Sequence, residues 1–263
     1  MTPNFWRTRR TAMKVVVSTH PRYHDPLTRT LQALLRTGDA RDVIVVVADD
    51  ADGAHGRRVS QEHPDLAAVL SHATNNYEYT SFAAVGEAIR DRGAWPDDAH
   101  FLMIHDTVVP GDGFWPKARA LGEQVKNMGV GLWRPTMWDL IKGHARGLRP
   151  LVVAKTWFPA CNSFNIGMAS RPLLMRCAAV YAGPISKNDG VLMETDKTHP
   201  FSLATLSGPG GWEYLAGPCF SIKIVAEGDV YDTGVVRRRM RLDMLDLDKV
   251  LVPCAARDHP DAA

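Results

Sequence analysis

The sequence has few of the features that assign a protein to a class at once. Its four cysteines are far apart and form no Cys-x-x-Cys pair, so neither a zinc ribbon nor a disulfide scaffold is indicated. No apolar stretch approaches the roughly 20 residues that cross a bilayer. The arginine-containing residues 1–13 lack the apolar core of a signal peptide. We therefore expect a soluble cytoplasmic protein with buried free thiols.

Two catalytic motifs are also absent. No Gly-x-Gly-x-x-Gly follows the first predicted strand, which argues against a dinucleotide-binding dehydrogenase. No Gly-x-Ser-x-Gly occurs, which argues against a hydrolase with a nucleophile elbow. Lysine and arginine number 31 against 29 aspartates and glutamates, so the net charge of +2 does not indicate a nucleic-acid or membrane partner.

The first half of the chain alternates between strand and helix patterns. Residues 14–19 and 42–48 contain the continuous apolar runs 15–17 and 43–48, which are typical of strands that are covered on both faces. Between these runs, leucines recur at helical spacing over residues 27–35. A later helix is predicted to begin with Thr80 or Ser81 as its N-cap. This order predicts an α/β fold with a parallel sheet.

One stretch ends in polar residues where a ligand site is expected. Residues 101–104 form another apolar run without alternation, and His105-Asp106-Thr107 follow it directly, before a Pro-Gly turn. In open α/β sheets, ligands bind in the crevice beyond the carboxyl ends of the strands. His105 and Asp106 are therefore candidate site residues.

This arrangement resembles the GT-A glycosyltransferases, which use nucleotide sugars, and in particular their family-2-like group. The resemblance covers roughly residues 14–225 and is strongest in the first half. In that family the first strand ends in a nucleotide-holding loop, here residues 18–22. The second strand ends in acidic residues that recognise the base or ribose, here Asp49 and Asp50. The nucleotide-binding residues that the resemblance implies are Thr19, His20, Arg22, Asp49, Asp50, Asn76 and His105.

The resemblance also implies a fold and a division of the chain. We expect a Rossmann-type mixed sheet flanked by helices, in a single domain with an irregular acceptor-side region towards the C-terminus. The division that we expect is an N-terminal extension (1–13), a nucleotide-sugar-binding half (14–128), an acceptor-binding and catalytic half with a basic C-terminal segment (129–257), and a tail (258–263).

A divalent metal is a further expectation from the resemblance. A later strand of the family ends in an Asp-x-Asp motif that binds the ribose and a metal ion on the diphosphate; here Asp106 is the one carboxylate at that place. The metal would be Mn²⁺ or Mg²⁺, because one or two carboxylates suffice when substrate phosphates and water complete the shell. His105 as a second ligand would favour Mn²⁺. Strand parity puts His105 and Asp106 on opposite sides unless the strand twists or ends there.

The residue that takes the proton from the acceptor is expected in the second half. Glu213, in a glycine-rich loop beside aromatic residues, is the first candidate and Asp189 the second, with Glu194 and Asp196 as further alternatives. Residues expected at the acceptor or sugar are Asn162, Asn165 and Trp212.

The leading hypothesis is thus a metal-assisted glycosyltransferase that uses a UDP-sugar and a saccharide, lipid-linked or other hydroxyl acceptor. One alternative is a non-catalytic nucleotide-binding or glycan-binding domain of the same fold. Another is a transferase that acts on modified nucleic-acid bases, for which the basic run at residues 237–241 is a weak indication. A nucleotidyltransferase is disfavoured because residues 18–22 lack the glycine-rich loop of that class.

Overall fold

The computed structural model describes residues 12–76, 79–125, 129–133, 163–184, 240–242 and 245–249. The strands are β1 (Met13–Thr19), β2 (Val43–Val47), β3 (Ala68–Ser71), β4 (His100–His105), β5 (Val108–Pro110), β6 (Gly129–Trp133), β7 (Ser163–Ser170), β8 (Met240–Leu242) and β9 (Leu247–Lys249). The helices are α1 (His24–Thr37), α2 (Ala54–Glu62), α3 (Thr80–Arg92), α4 (Phe114–Val125) and α5 (Arg171–Val180).

The main sheet has six strands in the order β3-β2-β1-β4-β7-β6. The first four strands in that order are mutually parallel, and β7 runs antiparallel to both of its neighbours. A second sheet, in the order β5-β9-β8, brings the C-terminal hairpin against the short strand that follows β4. The predicted mixed sheet is therefore confirmed, and β7, the strand that runs antiparallel to its neighbours, comes from the second half of the chain.

Side chains of β1 divide between two cores, one on each face of the sheet. Val15 and Val17 pack with α1 and α4, whereas Val16 packs with α3 and α5. All three valines are fully buried. Burial on both faces explains why the strand sequence is a continuous apolar run instead of an alternation. The predicted helical covering of the sheet is confirmed on both of its faces.

The order of the strands reverses at β1, and open α/β sheets form a crevice at such a reversal. The chain moves outwards from β1 to β2 and β3, and then returns to the other side of β1 as β4. The carboxyl ends of β1 and β4 are thus neighbours, with Ser18 in register with His105. Such a reversal of strand order is the topological switch point at which open α/β sheets bind ligands.

Two local predictions have different outcomes. The prediction that Thr80 or Ser81 caps α3 is wrong, because the N-cap is Tyr79 and no side chain caps it. The hydroxyl of Thr80 instead accepts a 2.8 Å hydrogen bond from the backbone N–H of Asn76. The prediction of buried thiols is confirmed for Cys177, while the other three cysteines lie outside the described residues. Within the described ranges, no helix has the length and apolar character needed to cross a membrane.

Candidate functional site

Asp106 lies directly beyond the carboxyl end of β4, at the switch point. Asp106 is only 6% exposed. A carboxylate oxygen, Oδ2, accepts a 2.7 Å hydrogen bond from the hydroxyl of Thr19, the last residue of β1. The backbone N–H of Asp106 donates to the carbonyl of Ser18 over 3.0 Å. Two predicted site residues, Thr19 and Asp106, are therefore in direct contact.

A second predicted pair, His20 and Asp49, joins the loops after β1 and β2. The backbone N–H of Arg22 donates to His20 Nδ1 over 3.2 Å, and His20 Nε2 lies 3.2 Å from Asp49 Oδ2. Because Nδ1 accepts a hydrogen bond, we assign the ring proton to Nε2, which donates to Asp49. The side chain of Asp49 is 63% exposed, so much of its carboxylate remains open to solvent.

Asp49 also has an unusual backbone conformation. Its φ angle is 56°, in the left-handed region that residues other than glycine seldom adopt. Aspartate tolerates this region better than most residues, and such conformations are concentrated at functional sites. Arg22, which is exposed, follows β1 in the short 3-10 turn Pro21–Tyr23, at the same edge of the sheet as Asp49.

Asp50, unlike the exposed Asp49, is buried and hydrogen-bonded within the protein. Its carboxylate is 4% exposed and accepts hydrogen bonds from Ser71 Oγ (2.6 Å), Gly56 N (2.8 Å) and His55 N (3.0 Å). Burial acts to raise the pKa of Asp50, but these three hydrogen bonds and the charge of His55 outweigh it and lower the pKa below its ordinary value. The carboxylate thus joins the N-terminus of α2 to the carboxyl end of β3. A nucleotide-binding role for Asp50 stays a prediction.

Asn76, also predicted to bind the nucleotide, is 1% exposed and holds the chain that follows α5. Its amide nitrogen donates to the carbonyl oxygens of Tyr181 (3.1 Å) and Gly183 (2.8 Å). The ring of Tyr181 stacks on Tyr79 with 4.6 Å between the ring centroids. Asn76 therefore anchors the point at which the chain leaves α5 towards residues 185 and beyond.

The described residues offer a hard metal ion only a small set of ligands. Among them, no group of three or more His, Cys, Asp or Glu side chains is placed so that it could hold a metal ion. Asp106 places one carboxylate at the switch point, and Mg²⁺ or Mn²⁺ can take its remaining oxygens from phosphates and water, so a metal-binding role for Asp106 stays a prediction. His105, the last residue of β4, is partly buried, and its predicted part in metal or nucleotide binding stays a prediction.

The expected catalytic and acceptor residues fall on other parts of the chain. Asn165 lies on β7, and its side chain is outside what the structure describes. The residues that lie outside the described ranges altogether are Asn162, Asp189, Glu194, Asp196, Trp212 and Glu213.

A histidine pair that sequence reasoning missed joins the N-termini of α1 and α2. The rings of His24 and His55 meet edge to face, 5.3 Å apart between centroids. Arg58 Nη2 lies 2.8 Å from His24 Nε2, and Glu62 Oε2 lies 3.3 Å from the same atom. Burial lowers the pKa of His55, and the positive charges of His24 and Arg58 lower it further. Neither histidine has a sequence neighbour that signals the contact.

Comparisons with known proteins assign this chain to no family. No protein-family model matches the sequence. No curated protein sequence matches it either. Among solved structures, it is similar to the mannosyltransferase PcManGT from Pyrobaculum calidifontis, solved in complex with GDP-Man and Mn²⁺. The TM-score is 0.43 at 18% identity, covering 73% of this chain and 51% of the mannosyltransferase chain. This chain thus spans about half the length of that protein.

Proposed function

We propose that this chain is a glycosyltransferase that moves a sugar from a nucleotide-sugar donor to a hydroxyl acceptor. The observation that carries the proposal is the carboxylate of Asp106, held by Thr19 at the switch point between β1 and β4. In open α/β sheets this crevice is the ordinary ligand site. The His20–Asp49 pair stands beyond the neighbouring strand ends, at the same edge of the sheet.

The chemistry of the donor accounts for the polar groups of this crevice. Cleavage of the bond to the sugar leaves a nucleoside diphosphate with growing negative charge, which must be stabilised as it departs. A divalent metal ion, Mn²⁺ or Mg²⁺, would supply that stabilisation as a Lewis acid, with Asp106 and His105 as the residues proposed to hold it. The open carboxylate of Asp49 is suited to accept hydrogen bonds from ribose hydroxyls or the base.

The remaining roles are assigned to the second half of the chain. Glu213, or else Asp189, is proposed as the base that takes the acceptor proton. Asn162, Asn165 and Trp212 are proposed to contact the acceptor or the sugar. We propose UDP as the nucleotide of the donor, and a saccharide, lipid-linked or other hydroxyl group as the acceptor.

Nucleotide binding by the whole chain is the first test. Calorimetric titrations with UDP, GDP, CDP and ADP, each with and without Mn²⁺, would be made on the wild type, Asp106→Asn and Asp91→Asn. Asp91 is an exposed carboxylate of α3, paired with Arg90, and provides the matched control. We expect Mn²⁺-dependent binding of UDP that Asp106→Asn weakens by about a hundredfold, as expected for a ligand to the metal, and that Asp91→Asn leaves unchanged.

Three outcomes separate the hypotheses. Failure of the wild type to bind any nucleotide would overturn the proposal. Equal losses of nucleotide affinity in Asp106→Asn and Asp91→Asn would show that Asp106 does not belong to the binding site. Where binding occurs as expected, slow release of free sugar from the bound donor would show transfer chemistry with water as the acceptor; binding with no release would favour the non-catalytic binding domain.

A further inference from the structure

Thr30 is a buried polar residue in the apolar face of α1. It is 0% exposed, and it lies between Leu27 and Leu31 of the core. Its hydroxyl donates to carbonyl groups outside its own helix. It lies 2.7 Å from the carbonyl oxygen of Asp106 and 2.7 Å from that of Val108. A single hydroxyl proton is therefore shared between two carbonyls, one in the turn after β4 and one at the first residue of β5.

Thr28, two residues earlier, shows what a threonine hydroxyl ordinarily does in a helix. Its Oγ1 donates to the carbonyl of His24, four residues back, over 3.0 Å. That bond stays within α1 and touches no other element. The two threonines thus differ in one respect that matters here, because Thr30 connects α1 to the backbone of Asp106 and Thr28 does not.

Asp106 is consequently held at three separate points. Its N–H donates to the carbonyl of Ser18, its carboxylate accepts from Thr19, and its carbonyl accepts from Thr30. The first two bonds link it to β1. The third links it to α1, so that the backbone of Asp106 is hydrogen-bonded to two elements.

We propose that Thr30 is a positioning residue that sets the direction of the Asp106 carboxylate in the ligand crevice. The inference rests on the proposed function for its ligand, a metal-bound nucleoside diphosphate. Without the hydroxyl, the carbonyls of Asp106 and Val108 would each lose the hydrogen bond from Thr30, and the backbone after β4 would relax. A shift of about 1 Å at such a group can lower activity by about a hundredfold.

Three variants of the whole chain test this proposal. Thr30→Val keeps the shape of the side chain and removes the hydroxyl, Thr30→Ser keeps the hydroxyl, and Thr28→Val is the control within the same helix. Each would be measured for thermal midpoint, for Mn²⁺–UDP affinity by calorimetry, and for amide hydrogen exchange over residues 104–110.

We expect Thr30→Val to weaken Mn²⁺–UDP binding at least tenfold and to speed exchange over residues 104–110 at least tenfold. Thr30→Ser and Thr28→Val should stay within about twofold of the wild type in both measurements. A lower thermal midpoint in Thr30→Val with unchanged affinity and unchanged exchange would reduce Thr30 to a merely structural residue and overturn the proposal.

The design separates this proposal from the one on which it rests. If the wild type binds no nucleotide, the proposed function fails on that result alone. The exchange comparison between Thr30→Val and Thr28→Val then still decides whether Thr30 holds the backbone of Asp106: faster exchange only in Thr30→Val supports that role, and equal rates overturn it.

Discussion

The hydroxyl of Thr19 and the carboxylate of Asp106 are joined by a 2.7 Å hydrogen bond, although 87 positions separate the two residues. Each residue stands at the carboxyl end of its strand, and the two strands are parallel neighbours. The bond therefore joins the ends of β1 and β4 at the switch point. It also makes the position of Asp106 depend on a residue of the first strand.

The first prediction concerns this bond. Thr19→Val should lower the free energy of unfolding by about 1–3 kcal/mol, because the buried carboxylate of Asp106 loses a donor. Thr19→Ser, which keeps the hydroxyl, should retain most of the stability. Urea unfolding followed by circular dichroism measures both. A Thr19→Val protein within about 0.5 kcal/mol of the wild type would contradict the importance of the bond.

The second prediction concerns Gly56 and Ser71 beside Asp50. A Cβ added at Gly56 would overlap Ser71 Oγ, which donates to Asp50 over 2.6 Å. Gly56→Ala should lower the free energy of unfolding by about 1–3 kcal/mol through overpacking. Ser71→Ala should lower it by about 1.5–3 kcal/mol, because a hydrogen bond to a charged group is lost.

The double variant tests the cause. Because Ser71→Ala removes the hydroxyl oxygen that the methyl group added at position 56 would overlap, Gly56→Ala with Ser71→Ala should cost less than the sum of the single changes, by about 1 kcal/mol. Urea unfolding of all four proteins completes the cycle. Strict additivity would mean that the clash with Ser71 is not what Gly56 avoids.

The third prediction is a pH dependence that comes from His55. Its pKa is lowered from the ordinary value of 6.5, first by burial and then by the charge of His24, so the folded chain keeps this imidazole neutral where the unfolded chain binds a proton. Below pH 6.5 the unfolded state therefore binds more protons, and the stability of the fold decreases as the pH decreases.

His55→Gln removes that contribution. The stability of the wild type relative to His55→Gln should decrease between about pH 7.5 and about pH 5, measured by urea unfolding at several pH values. The range stops well above 3.8, the ordinary pKa of Asp50, below which the lowered pKa of that carboxyl adds its own loss. A relative stability that increases towards the acidic end of this range would contradict a lowered pKa for His55.

The fourth prediction contrasts two glycines that follow helices. Gly38 lies against the indole of Trp115, and an added Cβ would overlap that ring. The indole is 2% exposed, and its Nε1 donates to the carbonyl of Leu34 over 3.0 Å. Gly38→Ala should displace the indole and cost about 3 kcal/mol through overpacking and the lost bond.

Gly93 is the matched control. It ends α3 with φ 61°, and a Cβ added there would meet no atom within 4 Å. Gly93→Ala should cost only about 1 kcal/mol, from the left-handed backbone alone. Unfolding measured by circular dichroism compares the two variants. Equal costs would show that contact with Trp115 is not what requires glycine at position 38.

The strand pattern of the core was predictable from the sequence. The apolar runs of β1, β2 and β4 showed no alternation, and all three strands proved to be buried between two layers of helices. The position of Asp106 directly after such a run was enough to place it at the carboxyl edge of the sheet. The pattern of apolar residues along a strand indicates which of its faces are buried. A central parallel strand is buried on both faces, so its apolar run shows no alternation.

The partners of the polar residues were not predictable in this way. The sequence did not indicate that the carboxylate of Asp50 binds the N-terminus of α2, or that the amide of Asn76 binds the chain after α5. The nucleotide-binding roles predicted for both residues stay predictions. Thr30 carried a weak signal, as a hydroxyl in an apolar helical face. That signal shows that a partner is needed but does not say which one.

The sequence by itself therefore determined the α/β class, the buried strands and the edge of the sheet at which Asp106 lies. The tertiary structure decided which polar side chains meet there. The physical reason is that periodicity along the chain reflects the transfer of side chains out of water, which depends on one residue and its nearest neighbours. A hydrogen bond such as that from Thr30 to Asp106 joins residues 76 positions apart, and only the folded chain brings them within 2.7 Å.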